Sequence, residues 1–201
     1  MRRGARLTCC ALLLAQASCS LGGRQQRGGA AFQSGTTRWV VTPSAIASLS
    51  SGRDTRGVPE VILLGDPFGR SALYLKFPKA WREHGRARTA FLTLTPSSGA
   101  TSDDATISVE VWRVKTDWQP EQLQSWHDKP ELGPPYAHRD VTCAPARELR
   151  IDITELVRFA AENPERDFGL ALLANGGSQR GSAFATGMTG DAAPRLEVYV
   201  Y

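Results

Sequence analysis

The amino-acid sequence predicts an all-β fold: an antiparallel β-sandwich carrying one short α-helix. Period-two alternation of apolar and polar residues recurs along the chain, turn-forming residues separate those segments, and a single stretch shows helical spacing instead. In 71–77, Leu73, Leu75 and Phe77 point one way while Ala72, Tyr74 and Lys76 point the other. Ala90, Leu92 and Leu94 alternate with Phe91, Thr93 and Thr95, and Ile107, Val109 and Val111 with Ser108, Glu110 and Trp112. Phe168-Leu170-Leu172 and Leu196-Val198-Val200 repeat the pattern. Such alternation predicts antiparallel sheet covered on one side, and several short strands of this kind make a sandwich or barrel.

Other segments follow from their punctuation. Strand character opens at Trp39-Val40-Val41, a polar loop is expected over 48–57, and Val61-Ile62-Leu63-Leu64 is an apolar run stopped by Gly65-Asp66-Pro67. In 152–162 the apolar positions 153, 156, 157 and 160 fall on one helix face. Asp152 or Thr154 can cap that helix, and Asn163-Pro164 ends it because proline disfavours helical backbone in the residue before it. Residues 130–145, with Pro130, Pro134, Pro135 and Pro145, read as a proline-rich loop.

The chain has 201 residues, 41% of them apolar and 22% charged, which suits one globular domain that folds without a metal or disulfide. The net charge is +4, but Arg2, Arg3 and Arg6 belong to the N-terminal segment. Beyond residue 18 there are 21 bases against 20 acids. The bases are interspersed with acids, so the domain lacks the basic patch that nucleic acid requires.

The N-terminus reads as an export address. Met1–Arg6 is basic, Leu7–Ala15 is apolar and too short to span a membrane, and Ala15-Gln16-Ala17-Ser18-Cys19 follows. Two cleavages fit. Ala15 and Ala17 satisfy the small-residue rule of ordinary signal peptidase, which leaves Cys19 able to pair with Cys143. Ala17-Ser18-Cys19 resembles a bacterial lipobox, which makes Cys19 the lipidated residue and membrane anchor and leaves Cys143 a lone thiol. The second reading makes 1–18 the signal peptide, 19–37 a Gly-rich tether and 38–201 the folded domain. It expects an outer-membrane or cell-surface lipoprotein; the first expects a secreted or periplasmic protein.

Trp112 faces away from Val109 and Val111, and Tyr199 and Tyr201 share one outward face. These three are the candidate ligand contacts, since an aromatic ring stacks on the apolar C–H face of a sugar. His84, His127 and His138 have no metal-ligand spacing, Asp103-Asp104 supply too few oxygens for calcium, and His138 with Cys143 is too loosely spaced for a nucleophile and its base. No nucleophile elbow, phosphate loop or dinucleotide fingerprint occurs. No catalytic residue, metal or cofactor is expected.

From about Ser71 to Tyr201 the chain resembles the DNRLRE domain family of extracellular β-sandwich modules. The resemblance rests on Ala72-Leu73-Tyr74-Leu75-Lys76-Phe77, Ala90-Phe91-Leu92-Thr93-Leu94, and Val111-Trp112-Arg113-Val114 followed by Trp118-x-Pro120-Glu121 and Trp126-His127-Asp128-Lys129-Pro130. Ile151-Asp152-Ile153-Thr154-Glu155-Leu156-Val157, Phe168-Gly169-Leu170-Ala171-Leu172 and Pro194-Arg195-Leu196-Glu197-Val198 complete it. It implies a jelly-roll-like sandwich and places Trp118 and Trp126 in the core. Some members bind calcium; Ser44-Ala45-Ile46 stands where the family often has an acid, so no metal site carries over. The functional expectation is a cell-surface module binding extracellular glycan, with no enzymatic activity. The alternatives are a structural or adhesion subunit that binds a cell-surface protein and, behind both, a polysaccharide-active enzyme.

Overall fold

The computed structural model describes residues 35–51, 61–64, 70–97, 106–142, 148–175, 182–185 and 192–201. The segments expected as signal peptide and, for the most part, as tether lie outside these residues, as do Cys19, Asp103, Asp104 and Cys143. The described part is an antiparallel β-sandwich with one helix. One sheet joins β1 (Thr37–Val41), β11 (Arg195–Val200), β5 (Ala87–Leu94) and β8 (Leu149–Asp152), in that order across the sheet. The other joins β2 (Ala45–Ser50), β4 (Ser71–Lys76), β9 (Leu170–Asn175), β6 (Thr106–Val114) and β7 (Leu132–Thr142). A two-stranded ribbon pairs β3 (Val61–Leu64) with β10 (Ser182–Ala185). Leaving aside the ribbon strand β10 and the β6–β7 hairpin, successive strands from β4 onward cross between the large sheets, which is jelly-roll order.

The alternation read in the sequence builds the main core. Leu73 and Leu75, Val109 and Val111, and Leu170 and Leu172 come from the five-stranded sheet; Ala90, Leu92, Ile151, Leu196 and Val198 face them from the other. Helix α1 (Thr154–Glu162) adds Leu156 and Val157. The helix cap is Ile153, neither of the two residues expected, and Asp152 braces the start from one position earlier, accepting from the Thr154 amide at 2.9 Å and its hydroxyl at 2.6 Å. The Thr154 hydroxyl oxygen also accepts from the Ala90 amide at 3.0 Å, which fastens the helix to β5.

Several expectations need correction. The five-stranded sheet is covered on both faces, not one. Residues 115–131 fold back over its outer face and insert Trp118 and Leu123 beside Ala47, Leu49, Ala72, Tyr74, Val114 and Ala171, a second apolar cluster. The span expected as a polar loop from residue 48 is strand as far as Ser50, with Ser48 buried. The proline-rich stretch is mostly strand β7, an edge strand, where Pro134 and Pro135 fall at the irregularity in the β6–β7 register around Trp112.

This cap is tied down by polar contacts at its ends. The Trp118 indole donates to the Phe168 carbonyl at 2.8 Å, and its ring meets Tyr74 edge-on, centres 5.9 Å apart. The Lys76 ammonium lies 4.8 Å from the Trp118 ring centre and donates to Asp117 at 2.7 Å. That bond, with the Trp118 amide, holds the Asp117 carboxyl below its ordinary range. Asp128 is held low in the same way by the Ser125 hydroxyl and amide.

Candidate functional site

The outer face of the four-stranded sheet carries the arrangement most suited to recognition. Register places its outward residues in rows: Arg38, Tyr199 and Thr89; then Val40, Glu197, Phe91 and Asp152; then Arg195, Thr93 and Arg150. Glu197 is the centre. Its carboxylate accepts from the Arg38 Nη2 at 2.8 Å on one oxygen, and from the Arg150 Nη2 and the Tyr199 hydroxyl on the other, both at 3.3 Å. Only 9% of the Glu197 side chain is exposed, against 43% of Arg38 and 46% of Arg150. A carboxylate at such depth needs paired, hydrogen-bonded cations, and it has two. The Arg150 guanidinium stacks 3.5 Å from the Phe91 ring centre, and Phe91 meets Tyr199 edge-on at 6.2 Å.

A bulge extends this face toward the end of β11. Thr89 pairs with Tyr199 and Ala87 with Val200, so Arg88 is the extra residue. Bulges re-aim side chains, and the Arg88 guanidinium lies 5.6 Å from the ring centre of Tyr201, which is 69% exposed.

The three aromatic candidates therefore separate. Tyr201 is exposed on this face. Tyr199 lies beneath it, buried and hydrogen-bonded to Glu197, so its ring supports the surface instead of forming it. Trp112 is on the other sheet, half-buried against the cap cluster, with its indole donating to Glu110 at 3.1 Å. Trp118 is fully buried and Trp126 partly so. Sequence reasoning missed Arg38, Arg88, Arg150 and Glu197. Tyr199 and Tyr201, read as sharing one outward face, pointed to this side of the sheet, and Phe91, a large aromatic alternating with Ala90 and Leu92, adds to that signal.

Two other places gather polar side chains without forming a site. On the edge of the five-stranded sheet, Ser108 Oγ lies 3.2 Å from His138 Nδ1, and His138 Nε2 lies 3.2 Å from Asp140. His138 and Asp140 are both more than half exposed, so water competes for each contact and no dry pocket activates the serine. Between α1 and the sheets, Phe77, Trp81, Leu156 and Val157 line a cavity of about 40 Å³, with Lys79, Arg82 and Asp167 also on its wall. That is room for a few water molecules, not for a sugar ring. Among the described residues no group of three or more His, Cys, Asp and Glu side chains is placed to hold a metal ion. Compared with known proteins, the chain matches no family model and no curated protein.

Proposed function

We propose that this chain is an exported, lipid-anchored module of the DNRLRE type that binds extracellular glycan on the outer face of its four-stranded sheet. One observation carries the reading: the two exposed large apolar side chains among the described residues are Val40, on β1 opposite Glu197, and Tyr201, which directly follows β11 and lies against Arg88 of β5. Sugar rings need such a flat, partly aromatic surface with polar groups beside it. Cys19 supplies the anchor and 20–37 the tether, so the domain stands clear of the membrane. In this reading the module works by binding.

The test is a glycan panel probed with the exported chain and with Tyr201→Ala. The variant is expected to melt within a degree or two of the parent and to bind about tenfold more weakly, ~1.4 kcal/mol. Parent binding that Tyr201→Ala leaves unchanged would move the site elsewhere. Intact mass of membrane-extracted protein tests the anchor: residues 19–201 plus acyl chains are expected, whereas an unmodified species beginning at Ser18 removes it.

The second reading, a protein-binding adhesion subunit, draws on the edge strand β1, which is hydrogen-bonded to β11 on one side. A partner strand added there leaves Tyr201 unnecessary, so the same variant separates the two.

A further inference from the structure

The geometry points to an acidic polysaccharide, one bearing uronic-acid carboxylates, as the glycan class this face takes, with Arg38 and Arg150 as the residues that read the charge. The inference rests on the glycan reading above and deepens it. Across the face Arg38, Arg88, Arg150 and Arg195 stand against Glu197, Asp152 and Glu148, four bases to three acids, which leaves one unit of positive charge; at its centre two of the guanidinium groups, those of Arg38 and Arg150, share the single carboxylate of Glu197. Each arginine commits an Nη2 to Glu197, and each keeps nearly half of its side chain in solvent. The pair is thus anchored from beneath and open from above.

Three features select a carboxylate. The guanidinium is a planar fork that matches carboxylate geometry, and it keeps its charge at any working pH. Arg38 and Arg150 each bond one oxygen of the same carboxylate, which brings two forks together on one patch of surface. Stacking on Phe91 and bonding to Glu197 fix Arg150 before any ligand arrives, which removes side-chain ordering from the cost of binding. Tyr201, exposed on the same face, offers its ring to the sugar that carries the acid. Glu197 is a positioning residue: it touches the arginines, not the ligand.

The test compares polygalacturonate with its methyl ester, which has the same sugar backbone without the charge. The exported chain is expected to bind polygalacturonate, to lose at least about tenfold on the ester, and to weaken further as sodium chloride rises from 50 to 500 mM, since exposed charges are screened. The triple variant Arg38→Gln, Arg150→Gln, Glu197→Gln removes the charges together and strands none of them; it is expected to stay folded by near-ultraviolet circular dichroism and to bind both polymers equally weakly. If it does not fold, Arg150→Lys decides: it keeps the charge beside Glu197 but loses the planar fork, and is expected to lose about threefold or more on polygalacturonate alone. Equal binding to acid and ester overturns the acidic class and leaves the glycan reading standing. Equal binding to dextran sulfate overturns the carboxylate preference. Binding to no polysaccharide on the panel, acidic or neutral, brings down both.

Discussion

At the scale of single residues, burial and pairing decide what each polar group does. Tyr74 is the clearest case. It sits under the cap beside Trp118, and burial pushes its hydroxyl up to about 12, from 10.0. The unfolded chain therefore releases this proton near pH 10, while the folded chain holds it until near pH 12. Between those values the unfolded state binds fewer protons, so stability falls as pH rises. The full effect is on the order of 3 kcal/mol. Tyr74→Phe removes the titration and nothing else charged. Urea midpoints at pH 9 and pH 11 are expected to fall further for the parent than for Tyr74→Phe; identical falls would assign the alkaline loss to other groups. Sequence alternation placed Tyr74 opposite Leu73 and Leu75, which is correct, but it read that side as the open one. The covering residues lie more than forty positions away, and no local pattern announces them. The same holds for the Glu197 cluster. Arg38 and Glu197 are 159 positions apart, so each reads as an ordinary surface charge until the strands pair.

At the scale of elements, strands whose alternate positions differ in residue type were legible, whether or not the second face is covered, and strands without that contrast were not. The central strands β4, β5, β6, β9 and β11 announce themselves by period two, and α1 by its period and by Asn163-Pro164. Strand β2 is buried along both faces, and Ile46-Ala47-Ser48-Leu49 shows no alternation. Strand β7 hides behind Pro134 and Pro135, and β10 is four residues long. The turn from α1 into β9 shows a different constraint. Gly169 has φ +93°, and a Cβ there would stand 2.3 Å from the Leu75 carbonyl oxygen. Its own carbonyl accepts from the Val114 amide at 3.1 Å, so β4, β6 and β9 meet at this residue. An added methyl group must push backbone, not a flexible side chain. Gly169→Ala is expected to cost about 2–3 kcal/mol, from strain in a left-handed conformation together with the displaced strand. Equilibrium denaturation measures it, and a loss below about 0.5 kcal/mol would show that the turn relaxes freely.

At the scale of the whole molecule, the two ends of the domain meet in one sheet. Thr37 pairs with Val200 and Val41 with Leu196, so the four-stranded sheet needs the last strand before the first can dock. Closing that loop early costs chain entropy that five residues of edge strand repay poorly. Local pairs such as the β6–β7 hairpin have no such handicap. The fold is dominated by non-local pairing, which places refolding in milliseconds to seconds. It also assigns β1 a late role. Trp39 packs on the main core from that strand, and Trp39→Ala is expected to destabilise by about 2 kcal/mol, less than a fully buried tryptophan because it is only partly covered. If β1 docks after the barrier, nearly all of that loss appears as faster unfolding, with the refolding rate unchanged. Stopped-flow fluorescence of the remaining tryptophans reads both arms. A refolding arm slowed by the full factor would place β1 in the nucleus and reverse the order. An unchanged refolding arm means that the last event of folding also brings Arg38 onto Glu197, so the proposed recognition face is completed only when the domain is.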